Sequence, residues 1–297
     1  MAKEKKAAAA AEQEAYKSEG HFKAVVKRML EDPKTVVGFI ILLVYALIAI
    51  FCYKIAPMNP NAVSADILAA PGVNGHIFGT DHLGRDLFSR TIIGTRYSIV
   101  LGLGATVFML LLGLILGSIA GFVGGWFDEA LMRFMDVIQS VPGTLLNMAL
   151  ATAFGAGFFK LMIAMGIGGT SSMIRLQRSC VLSIRKMEYI DAAKSTNCSF
   201  LRIITKHIIP NALAQSLVMA TSRIGGTIIA AAGLSFLGCG MPANTPEWGA
   251  LLSAGRDYIK NAPYLCLYPG IMLVIFVLAS NLVGDGLRDA LDPKLKK

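Results

Sequence analysis

Long stretches without a charged side chain are what most limit the fold of this chain. Residues 35–53, 97–127, 137–159 and 261–284 contain no Asp, Glu, Lys or Arg. About 20 consecutive apolar residues are enough for a helix to cross the hydrocarbon core of a membrane. With 55% apolar and only 16% charged residues overall, the chain has the composition of a multi-pass membrane protein. The sequence therefore predicts an all-α membrane protein.

Two further segments, residues 161–174 and 212–237, bring the prediction to six transmembrane helices. The first is short, but Lys160 at its edge can reach the membrane interface and lengthen it. The second contains Arg223, and an arginine at the centre of a span costs about 2.5–3.5 kcal/mol on insertion scales. The apolar residues around Arg223 roughly offset that cost, so its side chain is expected to face a wet or protein-lined interior.

The positive charge is distributed as topology requires. The net charge is +9, and Lys and Arg gather in residues 1–35, 175–206 and 294–297. With six spans these three regions fall on one side, which the positive-inside rule places in the cytoplasm. Both termini are therefore predicted to be cytoplasmic, and no nucleic-acid partner is expected. The polar N-terminal residues do not form a cleavable signal, so the first apolar run is predicted to stay as an anchor.

These spans divide the chain into five regions. They are a cytoplasmic tail with an interfacial amphipathic helix (1–35), the first transmembrane helix (36–56), an extracytoplasmic segment (57–96), a core of five transmembrane helices (97–285) and a cytoplasmic tail (286–297). Within the core, Gly113, Gly117 and Gly121 recur at intervals of four, a pattern that lets another helix approach closely. The five cysteines are scattered without a metal-binding or disulfide pattern.

The extracytoplasmic segments carry capping and turn residues. Thr80 and Asp81 are predicted to cap a helix that leads into the second span, with Asp86 and Arg90 as an i,i+4 pair. This structural interpretation is favoured over a ligand site. Further along, Trp248 is typical of a membrane interface, and residues 249–260 are predicted to form a short helix along the outer surface.

A charged insert at residues 175–210 interrupts the apolar segments. Its apolar positions recur at helical spacing and are predicted to share one face: Ile190, Ala193, Asn197, Leu201, Ile204 and Ile208. Asn197 readily adopts the left-handed conformation that ends a helix, and Ser199 can cap a new one. The insert is therefore predicted to be two short helices joined by a tight turn outside the bilayer. An amphipathic helix resting on lipid headgroups is the alternative.

Five of these segments, in this order, resemble the permease subunits of ABC importers, and specifically the second (C-type) permease of the dipeptide, oligopeptide and nickel group. The insert is similar to the family's EAA loop, with Asp191-Ala192-Ala193, then Asn197, then Pro210. The other four segments lie at residues 79–86, 233–238, 246–249 and 284–293. The chain departs from the family where Asp191 replaces Glu, where Asn197 replaces Gly, and at Ala231, where relatives often carry Glu.

The resemblance implies a type I ABC importer permease fold and a division of labour among subunits. The chain would form a heterodimer with a second permease, bind two cytoplasmic ATPases that hold ATP and Mg²⁺, and receive solute from an extracytoplasmic binding protein. The family's coupling loop maps onto Asp191, Ala192, Ala193, Asn197, Leu201, Ile204 and Pro210. Residues of the translocation path are expected at Arg223, Ala231 and Ser235, with an ion pair or carbonyl contact to a partner subunit as the alternative for Arg223. Binding-protein contacts are expected at Asp81, Arg85, Asp86, Glu247 and Trp248. The setting is a bacterial or archaeal plasma membrane.

Two other classes of function are less consistent with the sequence, an enzyme and a transporter or channel working alone. The chain has no GxxxxGK[ST] phosphate loop and no catalytic constellation, which disfavours an enzyme, including an intramembrane one. A secondary transporter or channel working alone would need intramembrane acidic residues or inverted repeats, and the predicted spans contain no Asp or Glu. The solute stays open between dipeptides, oligopeptides, nickel complexes and related small molecules.

Overall fold

The computed structural model describes residues 21–242 and 244–291, and within these ranges the regular secondary structure is helical, with the long connection 56–86 largely irregular. The β-structure of the described residues is one isolated bridge between Thr80 and Asp86. The helices are α1 (His21–Glu31), α2 (Pro33–Ile55), α3 (Leu87–Val123), α4 (Gly125–Ser140), α5 (Gly143–Phe154), α6 (Phe158–Ile184), α7 (Glu188–Ser195), α8 (Phe200–Ile203), α9 (Ile209–Phe236), α10 (Trp248–Arg256) and α11 (Tyr264–Leu291). Of the predicted tails 1–35 and 286–297, residues 1–20 and 292–297 lie outside the described residues.

Four helical segments are long and apolar enough to cross a membrane: Pro33–Ile55, Leu87–Val123, Phe200–Phe236 and Tyr264–Leu291. A fifth is available if α4 and α5, which bend by 94° at the break between them, form one broken span. Six spans are therefore not confirmed. Helix α6 is long enough to cross a membrane, with 27 residues. Its second half is polar, however, so the helix as a whole is less apolar than the four segments above.

The span predicted at residues 137–159 is wrong as a single helix. Val141 adopts an extended conformation (φ −87°, ψ 129°) and α5 begins only at Gly143. Pro142 is the cause, because a proline clashes with a helical conformation of the residue before it. The chain turns at this point, and the apolar run is divided between two helices.

The centre of the molecule is the contact between α3 and α6, where the predicted glycine stripe is confirmed. A Cβ atom on Gly117 would lie 2.7 Å from the Ile174 carbonyl oxygen, and one on Gly121 would lie 3.0 Å from the Arg178 carbonyl oxygen. Gly113 faces Met173 in the same way. The two backbones meet closely because these positions carry no side chain.

Helix α6 is enclosed by neighbours, which explains how it carries polar residues. The Gln177 side chain is fully buried; its Nε2 donates to Ser118 Oγ of α3 (2.8 Å) and its Oε1 accepts from Ser216 Oγ of α9 (2.7 Å). Near the end of α4, Asp136 Oδ1 lies 2.6 Å from Arg175 Nη2. Polar groups satisfied in this way tie α3, α4, α6 and α9 together.

The N-terminal helices wrap the outside of this centre. Val25 and Met29 of α1 pack against Ala290 at the end of α11, although Leu30 stays exposed. The amphipathic face of α1 is thus covered in part by protein rather than only by the predicted lipid surface. Asp32 then caps α2, and the Thr35 hydroxyl and backbone amide, which donate to the carboxylate, lower the pKa of Asp32.

Candidate coupling and translocation sites

Helix α7 projects beyond the end of α6 and is held by its apolar side. Ile190 is fully buried and Ala193 is nearly so, and both pack with Val181 of α6 and with Ile204 and Ile208. On the opposite side, Asp191 and Ala192 are exposed. The Asp191 carboxylate forms an ion pair with Lys194 Nζ at 2.9 Å. The helix therefore presents a small, polar face whose position is fixed by the apolar contacts beneath it.

The turn after α7 is a C-terminal cap of the kind predicted from Asn197. Asn197 has a φ of 56°, in the left-handed region. The Cys198 amide donates to the Ala193 carbonyl (3.1 Å), and the Asn197 amide donates to the Lys194 carbonyl (2.9 Å). These two bonds are the paired pattern of a Schellman motif. Asparagine is tolerated here because its side chain favours the left-handed conformation more than most residues do.

Two details of the predicted insert are wrong. First, residues 175–184 belong to α6, so the segment that leaves the helix bundle is shorter, residues 185–208. Second, Asn197 and Leu201 do not lie on the buried face: Asn197 is exposed, and Leu201 is 70% exposed. The left-handed conformation of Asn197 interrupts the helix. Residues before and after it therefore do not share a helical face, even where they are three or four positions apart in the sequence.

The second short helix is also not separate from the following span. Helix α8 continues through a π-helical turn, Ile204–Ile208, directly into α9. Pro210 lies in the first turn of α9, directly after the π-helical turn. Helices α8 and α9 thus act as one long element, Phe200–Phe236.

Arg223 lies midway along α9 beside a cleft of about 340 Å³. The cleft is bounded by α3, α5 and α6 as well as α9, and Asn147 of α5 and Gly169 of α6 are among its walls. The Arg223 side chain is half-buried. The prediction that this arginine faces an interior agrees with its position, because it lines an open space among four helices.

The other two residues predicted for the path are packed rather than lining this cleft. Ala231 is buried in an apolar cluster with Leu101, Ala105 and Leu161. Ser235 is buried near the end of α9, where its Oγ accepts from the Met241 amide at 3.4 Å. Their small size serves close packing in this conformation.

The residues before α3 form a compact ionic cluster. Asp86, not Thr80 or Asp81, caps α3, since its carboxylate accepts from the Ser89 amide at 2.8 Å. The same carboxylate lies 2.9 Å from His76 Nδ1. Asp81 accepts from Arg85 Nε at 2.7 Å, and Arg90 Nε lies 3.7 Å from it. Sequence reasoning missed His76, because nothing in the spacing links it to Asp86.

Glu247 and Trp248 are equally enclosed. The Glu247 carboxylate caps α10 by accepting from the Gly249 amide (2.9 Å) and the Ala250 amide (3.0 Å). Trp248 Nε1 donates to the Thr91 carbonyl at 3.2 Å, and its ring packs against Tyr45 and Phe276. Trp248 is fully buried, so the predicted interfacial position is wrong. The tryptophan joins α2, α3, α10 and α11.

All five side chains predicted to contact a binding protein are buried: Asp81, Arg85, Asp86, Glu247 and Trp248. In this structure these side chains lie beneath the surface and support it, and they are not exposed to a partner. The exposed side chains of the 57–86 segment are instead apolar in several places, with Ile67 at 62% and Ile77 at 54% exposure. The sequence does not predict this burial, because buried ion pairs and exposed ones have the same sequence pattern.

The 57–86 segment and the 185–208 segment lie at opposite ends of α3. The first leads into the start of α3, while Ile119 and Phe122 near its other end pack against the apolar side of α7. A helix of 37 residues is about 55 Å long at 1.5 Å per residue. The described residues hold no group of three or more His, Cys, Asp or Glu side chains that could bind a metal ion.

The described residues thus form an apolar helical bundle of membrane-spanning length, with the 57–86 segment at one end of α3 and the projecting helix α7 at the other. The family model of the binding-protein-dependent transport system inner membrane component matches residues 113–297. The chain belongs to this family of transport permease subunits, and it is a transport component rather than an enzyme.

Curated relatives match almost the whole chain. It is 39% identical to the dipeptide transport system permease protein of Alkalihalophilus pseudofirmus, over 95% of this chain and 92% of that one. It is 40% identical to the oligopeptide transport system permease protein of Bacillus subtilis, over 97% and 94% of the two chains. Among solved structures, it is similar to a chain of the inward-facing MetNI methionine ABC transporter, with 20% identity, a TM-score of 0.47, and coverage of 66% of this chain and 95% of that one.

Proposed function

We propose that this chain is a C-type permease subunit of an ATP-driven importer of di- or oligopeptides or a related small solute, and that it forms half of the translocation path. The observation that carries the proposal is the pair of peptide permeases that match more than nine-tenths of the chain at 39% and 40% identity. A third relative, the glutathione transport system permease protein of Pectobacterium atrosepticum, is 37% identical over 91% of the chain. The solutes in these names share a peptide-like chemistry.

The exposed face of α7 is the proposed docking site for an ATPase. Ala192 offers a position where a partner surface can come close, while Ile190 and Ala193 anchor the helix from below. Closure of the ATPases around bound ATP and Mg²⁺ would move α7 and, through α8 and the π-helical turn, the long helix α9. This assigns the EAA coupling role to the 185–208 segment.

The remaining assembly follows from the same arrangement. The chain pairs with a second permease in a type I fold of six spans in total, with α6 as the span that is least apolar. The 57–86 segment faces outward and meets a solute-binding protein through exposed apolar side chains such as Ile67 and Ile77. Both termini and α7 lie in the cytoplasm of a bacterial or archaeal cell.

Co-purification of the ATPases tests the proposal. The transporter genes are expressed together, the chain carries the affinity tag, and the ATPases retained in detergent are quantified. Ala192→Arg places bulk and charge on the exposed face of α7, and we expect it to reduce retained ATPase at least ten-fold. Asn261→Arg, an exposed position between α10 and α11, is the matched control and is expected to retain the ATPases.

Two results would contradict the proposal. The first is that no ATPase co-purifies with the unmodified chain, which would favour a transporter or channel that works alone. The second is that Ala192→Arg retains the ATPases as fully as the control does, which would place docking elsewhere on the chain.

A further inference from the structure

The cleft beside Arg223 contains hydrogen-bonding groups that the described residues do not satisfy. The guanidinium of Arg223 has no hydrogen bond or ion pair with any residue in the described ranges 21–242 and 244–291. Within the same part of the chain, Asn147 Oδ1 is buried and has no hydrogen-bond partner. Buried polar groups in folded proteins are almost always paired. One cation and one amide that share a cleft and lack partners point to a ligand.

The hydroxyl groups of the cleft are already engaged. Ser222 Oγ donates to the Val218 carbonyl at 2.9 Å, and Thr227 Oγ1 donates to the Arg223 carbonyl at 2.9 Å. Both bonds lie within α9, so these hydroxyls satisfy their own helix. The donors left for a solute are the guanidinium of Arg223 and the amide of Asn147.

These donors select an anion of planar shape. A guanidinium offers parallel N–H groups that match the two oxygens of a carboxylate. The Asn147 amide can add a donor, because its oxygen and nitrogen ends exchange by a rotation of the side chain. Among the described residues that line the cleft there is no Asp or Glu. A free divalent cation or a lone amine would therefore meet a like charge and no counter-ion.

The other walls suit a small organic solute. Met109 and Met165 line the cleft together with Ala105 and Ala230, and methionine adapts its shape to varied apolar groups. The volume of the cleft, about 340 Å³, is near the lower end of the range for small-molecule sites, about 300–1,000 Å³. Small amino-acid side chains fit such walls.

We infer that Arg223 and Asn147 form a binding site for the free carboxylate of the transported solute as it passes through the membrane. The inference rests on the proposed transport function and makes it more specific. Solutes with a carboxylate, such as peptides with a free C-terminus, are accepted. Solutes whose only charge is positive, including a bare nickel ion, are disfavoured at this step.

The test is binding to the assembled transporter in lipid nanodiscs without its solute-binding protein, so that only the permease selects. Saturation-transfer NMR is recorded with dialanine and with dialanine amide, which lacks the carboxylate, each at millimolar concentration. We expect at least a five-fold stronger methyl signal for dialanine. Arg223→Gln should remove this difference and Asn147→Ala should reduce it. Arg223→Lys, which keeps the charge but not the paired donors, should retain about half of it.

Arg133→Gln is the matched control, because Arg133 is an exposed arginine on α4; it should leave the preference unchanged. Equal or absent signals in the unmodified transporter, or a preference that survives Arg223→Gln, would overturn the inference. Loss of the second permease from the purified Arg223→Gln complex would also overturn it, because Arg223 would then be a subunit contact. Failure of the proposed function is distinguishable, since no ATPase would then co-purify with the unmodified chain.

Discussion

At the scale of single residues, the glycines of α3 are positions where absence of a side chain determines packing. Gly117 faces the backbone of α6, and a Cβ there would lie 2.7 Å from both Ile174 O and Gln177 Cβ. Real Cβ atoms do not approach backbone oxygen so closely, so one helix has to move. Gly233 on α9 is the contrast, because a Cβ there would meet nothing within 4 Å.

Gly117→Ala is expected to lower the free energy of unfolding by about 1–3 kcal/mol, the usual cost of overpacking. Gly233→Ala should be neutral or stabilise by up to about 1 kcal/mol, because alanine favours helix. The measurement is the thermal midpoint of the detergent-solubilised protein by fluorescence-detected size exclusion. Equal midpoints for the two variants would contradict the close contact of α3 and α6.

Glu247 shows how a buried carboxylate organises the chain between two helices. It accepts bonds from two amides of α10 and from the Ser98 hydroxyl of α3 at 3.3 Å. The bonds cap α10 and fix it beside α3. Trp248 then follows directly into the aromatic cluster.

Glu247→Ala is expected to destabilise the protein by about 0.5–2 kcal/mol, the range for loss of a helix cap. Glu129→Ala, at an exposed position on α4, should change the thermal midpoint by less than the experimental error. The same midpoint assay measures both variants. A Glu247→Ala protein as stable as the control would show that the cap contributes nothing.

At the scale of elements, the 185–208 segment combines a predicted turn with an unpredicted continuity. Asn197 ends α7, as its preference for the left-handed conformation predicts. Helix α8, however, is not a separate short helix, because it runs on into α9. The π-helical turn at Ile204–Ile208 joins α8 to α9, and Pro210 lies in the first turn of α9. Buried apolar side chains on both sides of the Asn197 turn, Ile190 before it and Ile208 after it, therefore hold the segment in place.

Ile190→Ala is expected to cost about 2–4 kcal/mol of stability or to release α7, because this side chain is fully buried. Leu201→Ala removes a side chain of the same size that is 70% exposed, and it should be nearly neutral. Limited proteolysis in the 185–208 segment, together with the thermal midpoint, reports both effects. Equal protease sensitivity would favour the original periodicity, in which Leu201 shares the buried face.

At the scale of the whole molecule, the two proposed docking surfaces, the 57–86 segment and α7, are separated by the length of α3. Their placement on opposite sides of a membrane is an expectation from the distribution of Lys and Arg. The exposed positions Ser195 and Asn261 lie one in the 185–208 segment and one between α10 and α11. They are suitable reporters because neither is part of the apolar packing.

Single cysteines at Ser195 and Asn261, in a variant whose five native cysteines are replaced, test the sidedness. In intact spheroplasts, a membrane-impermeant maleimide should label Asn261→Cys and not Ser195→Cys. Inside-out vesicles should give the reverse. Labelling of both positions from the same side would contradict the proposed topology.

Much of this architecture could be read from local patterns. Uncharged runs identify apolar helices because lipid excludes charge, and glycine at intervals of four identifies a close helix contact because no side chain intervenes. Asn197 and Pro142 act through their own backbone preferences. Each of these signals depends on a residue and its immediate neighbours.

The sequence by itself determined the membrane class, the family resemblance and the turn after α7, since these follow from composition and from local backbone chemistry. Only the tertiary structure decided that Asp81, Arg85, Asp86, Glu247 and Trp248 are buried, and that Arg223 and Asn147 share one cleft. Burial and proximity between distant residues depend on how the helices pack. A charged residue has the same pattern in the sequence whether its partner lies in solvent, in a neighbouring helix or in the solute.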